Sequence, residues 1–229
     1  MQSIAKIYDH RHSNSWAAQM RKKRLSLFNS LLATLPAPIK ILDVGGKEDF
    51  YESANFFGRE GDLDITLINV SLKETGTIHP NIQKIVGDAR DMQQFTDNEF
   101  DVVFSNSVIE HVGDYSDQLR MANEIKRVSK RYFVQTPNRY FPIEPHFLFP
   151  FFQFLPIDIR VWLLIHFDLG WYEKIPNQQI ARDAVLEIRL LSQKELVHLF
   201  PEAKLFKEKL FGLTKSLTVY AGWHDADTI

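Results

Sequence analysis

The sequence contains no cysteine, which removes disulfides, thiolate metal sites and cysteine nucleophiles from consideration. Net charge is nearly absent too: 27 Lys and Arg against 29 Asp and Glu leave a formal −2, so no global field draws the chain to nucleic acid. Residues Met1 to Asn14 are polar, without the apolar region of a secretory leader, and a cytoplasmic protein is the expectation. Internal repeats and low-complexity tracts are also missing. Apolar material, by contrast, is plentiful. At 229 residues and 45% hydrophobic content, the chain can bury a full core, and one α/β domain with a single insertion is the economical organisation.

The most informative stretch is Ile41-Leu42-Asp43-Val44-Gly45-Gly46, a strand-like apolar run holding one acid and ending in two glycines. Such a pair lets the backbone turn tightly and approach a ligand that a side chain would push away. Three more strand-like runs end in polar residues: Ile65 to Asn69, Ile85-Val86-Gly87 before Asp88, and Asp101 to Phe104 before Ser105-Asn106-Ser107. In open α/β sheets, ligands bind outside the carboxyl ends of the strands, so these polar residues converge on one crevice.

With those runs, and above all Phe100-Asp101-Val102-Val103-Phe104-Ser105-Asn106-Ser107-Val108-Ile109-Glu110-His111-Val112, the chain resembles a class I S-adenosylmethionine-dependent methyltransferase of the type 11 branch from about Ile41 to Trp223. The resemblance implies a Rossmann-like three-layer α/β sandwich with a mostly parallel seven-stranded sheet and an aromatic-rich insertion after the fifth strand. It implies S-adenosyl-L-methionine as cofactor. Asp43, Gly45 and Gly46 would then hold its amino-acid part, Asn69 its ribose hydroxyls, and Asp88 with Ala89 its adenine, with Asn106 at the fourth strand end. Two positions depart from the family pattern: Gly46 is followed by Lys47-Glu48-Asp49 without a second spaced glycine, and Asn69 stands where an acid is usual. An amide still bonds a hydroxyl but lacks the charge that strengthens the bond. These departures keep open a cofactor-binding protein of weak or no activity. A nicotinamide-dependent oxidoreductase shares the sheet but is disfavoured, because GxGxxG is missing.

Around this scaffold the chain divides into an N-terminal helical cover (1–37), a cofactor-binding half (38–136), an insertion (137–183) and a closing segment (184–229). Trp16, Met20, Leu25, Phe28 and Leu32 recur at helical spacing before Pro36, and this helix carries the basic run Arg21-Lys22-Lys23-Arg24, a solvated face or a contact for phosphate or anionic lipid. Leu119, Ala122, Ile125 and Val128 predict a helix leading to a fifth strand at Tyr132-Phe133-Val134. Ser192-Gln193-Lys194-Glu195 has capping-box spacing, and two strands, Ala203 to Phe211 and Ser216 to Ala221, flank Gly212.

The insertion is dense in aromatics and prolines, from Tyr140 and Phe141 to Trp171 and Tyr172. It reads as an acceptor pocket or lid, as a homodimer interface, or as a surface lying on a membrane; Asp158, Arg160 and the prolines exclude a membrane-spanning helix. An acceptor that is small, glycan-like or lipid-linked would suit it. A hydroxyl acceptor needs its proton removed, a task that fits histidine. His146, in Glu144-Pro145-His146 with Glu144 to orient it, and His111 are the candidates, while His166 and His198 sit in helix-like apolar patterns as structural residues. Glu110, Asp114 and Asp117 lie close together but are common helix-start residues, and no metal site is expected.

Overall fold

The computed structural model describes residues 16–48, 51, 62–71 and 80–223, with the side chains of 16–18 excepted. Met1 to Asn14, Asp49 and the Trp16 side chain thus lie outside the described structure. Seven strands form one sheet in the order β3-β2-β1-β4-β5-β9-β8. They are β1 (Ile39–Val44), β2 (Leu63–Asn69), β3 (Ile82–Val86), β4 (Val102–Asn106), β5 (Tyr132–Pro137), β8 (Lys204–Leu210) and β9 (Leu213–Ala221). The first five run parallel, and β9 and β8 close the sheet antiparallel.

The parallel strands are apolar on both faces because helices cover both. α1 (Trp16–Leu32) lays Phe28 on one face, with its ring 4.6 Å from Phe104 and 5.0 Å from Phe133. α2 (Tyr115–Val128) turns Met121, Ala122, Ile125 and Val128 to the other. Asp114 caps it: its carboxylate accepts from the Asp117 amide while Asp117 accepts from the Asp114 amide, the helix-start role foreseen for this pair. α5 (Gln193–Leu199) begins with the same reciprocal box between Ser192 and Glu195.

The insertion has its own small core. Two short strands, β6 (Ile143–Glu144) and β7 (Phe149–Pro150), precede α3 (Ile157–His166) and α4 (Gln178–Leu186). Phe147, Phe152, Val161, Leu164, Leu169, Ala181 and Val185 pack together there. Its aromatics are divided: Phe141, Phe147 and Phe152 are buried, whereas Tyr140, Phe151, Phe154, Trp162, Phe167 and Trp171 remain exposed.

Several strand boundaries differ from the sequence reading, those of β3 and β9 among them. β3 starts at Ile82 and stops at Val86, so Gly87 and Asp88 already belong to the following turn. β9 starts at Leu213, because Phe211 and Gly212 both take positive φ, 50° and 81°, and reverse the chain in a two-residue hairpin turn.

Candidate functional site

Strand order changes direction at β1 and β4, so the crevice opens at their carboxyl ends. Gly45 leaves β1 with φ 74°, and its amide donates to the Ile68 carbonyl at 2.9 Å. A Cβ on Gly45 would lie 2.5 Å from the Val108 side chain, and one on Gly46 would strike the Asp43 carboxylate. Asn69 donates its amide to the Gly46 carbonyl at 3.0 Å. The loop therefore lies flat against its neighbours, with backbone as its outer surface.

The Asp43 carboxylate sits against Gly46. It is 2% exposed and accepts from the Tyr51 hydroxyl at 2.8 Å. Burial pushes its carboxyl up to about 7, partly opposed by that hydrogen bond. It braces the loop from behind. Where the family loop has its second glycine stands the exposed Lys47, and Glu48 next to it is buried and ion-paired with Lys84. Asp88 is occupied as well: Arg90 donates Nε to Oδ1 at 2.9 Å and Nη2 to Oδ2 at 2.6 Å, and these bonds hold its carboxyl below the usual range. Ala89 is buried in the core beside it.

Beyond Asn106 a cavity of about 300 Å³ opens. Asn106 and Ser107 line it from the end of β4, Gln135 and Pro137 from β5, and Phe141, Ile143 and His146 from the insertion. Met20, Arg21 and Arg24 enter from α1, and Glu208, Lys215 and Ser216 from the β8–β9 hairpin. Of the residues assigned to the cofactor, only Asn106 borders this cavity. The other strand-end positions lie on the β1–β2–β3 side of the sheet edge.

The two histidines meet here, their rings perpendicular with centroids 4.9 Å apart. Buried Glu144 holds His146: Oε1 is 2.7 Å from Nδ1, and Oε2 accepts the amides of His146 and Phe147 at 2.7 Å each. Burial lowers the His146 pKa, but the hydrogen bond and charge of Glu144, with Glu110, outweigh it and raise the pKa overall. Burial and the neighbouring His146 push His111 down to about 4, so it stays neutral. Glu110 is fully buried; Oε2 accepts from the Thr136 hydroxyl at 3.0 Å, Oε1 has no hydrogen-bond partner among the described residues, and burial pushes the group up to about 7. One ligand atom each from Glu110, His111 and His146 lie within 4.8 Å of one another, close enough to share a cation. His166 and His198 are both exposed, on helix surfaces away from this cluster.

The buried Arg24–Glu208 pair, 2.8 Å apart and 184 residues apart in sequence, escapes sequence reasoning. Its one local trace is the i, i+3 spacing that puts Arg21 and Arg24 on one helix face.

Residues 50–132 match the family model described as methyltransferase domain. Comparison with curated protein sequences gives no match. Among solved structures, Haemonchus contortus phosphoethanolamine N-methyltransferase 2, in complex with phosphomonomethylethanolamine and S-adenosylhomocysteine, superimposes with TM-score 0.51 at 14% identity, over 84% of this chain and 39% of that one. A SAM-dependent methyltransferase from Aquifex aeolicus gives 0.47 at 13% identity, over 89% and 96%. A structure described as a sarcosine dimethylglycine methyltransferase from Galdieria sulphuraria gives 0.37 at 20% identity; 49% of this chain is covered, and it spans 44% of that one. The structural likeness concerns the fold. The segment matched by the family model is thus that of a methyltransferase domain, and the flat glycine loop fits S-adenosylmethionine. Asn69, moreover, has an amide oxygen that accepts nothing from the described residues.

Proposed function

We propose that the chain is a class I S-adenosylmethionine-dependent methyltransferase and that it methylates an oxygen of a small-molecule or glycan-like acceptor, lipid-linked forms included. The observation that carries the reading is a histidine held by a buried carboxylate at the wall of the cavity next to Asn106. The cofactor, when bound, supplies an electrophilic methyl group on a sulfonium. Gly45, Gly46 and Asn69 would hold it, with the turn at Asp88 and Ala89 beside the base. Methyl transfer to a hydroxyl forms an O–C bond and releases the O–H proton. His146 Nε2 takes that proton, because Glu144 engages Nδ1 and fixes the ring. Phe141 and Ile143 exclude water from the reacting atoms. The exposed Tyr140, Phe151, Phe154 and Trp162 suit an acceptor carried on a lipid or presented at a membrane surface. No helix among the described residues is long and apolar enough to cross a membrane.

Single-turnover methylation tests this. His146→Ala should slow transfer to a hydroxyl acceptor by roughly 10²–10⁴-fold while S-adenosylhomocysteine affinity stays the same; a variant with full rate removes His146 from the chemistry. The unpartnered Glu110 Oε1 favours a second reading, in which a divalent cation between Glu110, His111 and His146 holds the acceptor oxygen. Chelation separates the two: enzyme stripped with EDTA keeps its rate under the first reading and loses it, restorably by added cation, under the second.

A further inference from the structure

β6 and the residues after it form a partition. Ile143, Pro145 and His146 border the cavity described above, whereas Glu144 and Phe147 border a separate pocket of about 400 Å³ on the other side. Successive residues of an extended chain point to opposite faces, so one short segment supplies a wall to each. The two spaces share no lining residue. Phe147, Phe152, Val185 and Leu186 give the pocket an apolar side, and Arg139, Arg160 and Arg189 bring guanidinium groups to it.

Net charge does not single this pocket out. Glu144 and Asp114 line it too, and the Glu144 charge acts on Arg160. Hydrogen bonding does. Arg189 is committed, donating to Gln118 Oε1 at 2.7 Å and to Glu195 Oε1 at 2.6 Å. The acids are committed as well: Glu144 holds His146 Nδ1 and two backbone amides, and Asp114 caps α2. Arg139 lies over the Phe154 ring, 5.9 Å from its centroid, and Arg160 Nε is buried without an acceptor. Neither of these two guanidinium groups donates a hydrogen bond or joins an ion pair among the described residues.

A guanidinium presents five N–H donors in a fixed fork, and donors withdrawn from water are rarely left unmet. Both arginines are half-buried. Burial pulls the Arg160 pKa down, and the Glu144 charge opposes it. Both are also held in place. The Arg139 amide donates to the Leu191 carbonyl at 3.0 Å, and its carbonyl accepts from Gln153 Nε2 at 2.8 Å. Arg160 stands on α3, which buries Val161 and Leu164 in the core of the insertion.

We propose that this pocket binds a small organic anion, an apolar body bearing a carboxylate or a phosphate group, whose oxygens accept from Arg139 and Arg160 while the body packs on Phe147, Phe152 and α4. The arginine fork matches two oxygens of either group. The site stands apart from the acceptor reading and adjoins that chemistry only through Glu144, which holds His146.

Calorimetric titration of the full chain with phenylacetate, phenyl phosphate and neutral phenethyl alcohol tests it. At least one of the two anions should bind, and the tighter one tells carboxylate from phosphate. Arg139→Met and Arg160→Met keep an apolar side chain and lose the donors. Each should weaken the anion by on the order of tenfold or more, the usual worth of a charge-assisted hydrogen bond. Arg21→Met, which alters the other cavity, should leave the affinity unchanged. The proposal is overturned if neither anion binds, if the alcohol binds as well as the anions, or if both pocket variants keep the wild-type affinity. A loss of anion affinity in Arg21→Met also overturns it, because the anion would then belong to the other cavity. The two arginines stand on different segments, so if one variant lacks a cooperative melt, the other decides.

Discussion

At the scale of single residues, Asp43 carries a stability signal that can be read through pH. Its carboxyl is raised from 3.8 to about 7, so the folded state binds a proton more tightly than the unfolded state. Its contribution to stability is therefore fullest below about pH 4 and is lost as the pH rises through about 7. Each tenfold gain in proton affinity is worth about 1.4 kcal/mol, so the loss across this window amounts to a few kcal/mol. Asp43→Asn keeps an acceptor for the Tyr51 hydroxyl and should flatten this slope. Glu110 titrates in the same window, so the readout is the difference between wild-type and variant melting temperatures across pH 4 to 8; identical slopes would show that Asp43 is not the source. Gly45 makes a second residue-scale case. With φ at 74° and Val108 at 2.5 Å from its missing Cβ, Gly45→Val strains the backbone and the core together. It should lower the melting temperature as well as cofactor affinity; an unchanged melt would mean that the loop shifts to make room.

Among the elements, α1 joins the core to the cavity. Phe28 rests on Phe104 and Phe133, and one and two turns earlier Arg24 and Arg21 reach the cavity. Phe28→Ala should cost about 3–5 kcal/mol in urea unfolding, the range for deleting a buried Phe. The helices and parallel strands were legible in the sequence because their signals are local: apolar runs in β1, β2 and β4, capping boxes at Asp114 and Ser192, and a helical stripe in α2. The start of β3 was not, because Gln83 and Lys84 part Ile82 from Ile85 in a short edge strand whose two isoleucines face opposite sides of the sheet. The two-residue strands β6 and β7 carry no periodicity to detect. His146 and Glu144 were legible as a pair from their spacing. The ion pair at Asp88 was hidden, since family likeness supplies a role for the acid and says nothing of the arginine two residues on. Equally hidden was the bulge at Lys215, between the Glu208–Ser216 and Lys209–Thr214 pairs of the hairpin, which depends on how two strands register and on neither strand alone.

At the scale of the whole molecule, the two halves of the site differ in how far the chain must travel to build them. The loop at Gly45, Asn69 and the turn at Asp88 come from one stretch of strands β1 to β3. The neighbouring cavity combines α1, the end of β5, the insertion and the closing hairpin. Contacts spanning the chain hold it: Arg24 meets Glu208, and the Trp223 indole donates to the Leu31 carbonyl, 192 residues away. During synthesis, a ribosome-bound chain therefore has every residue assigned to the cofactor long before it has a place for the acceptor. Until the hairpin emerges, Arg24 lacks Glu208 as its counter-ion and the cavity lacks a wall. On the proposed reading, a copy stalled before β8 and β9 have left the ribosome has no finished pocket for an acceptor.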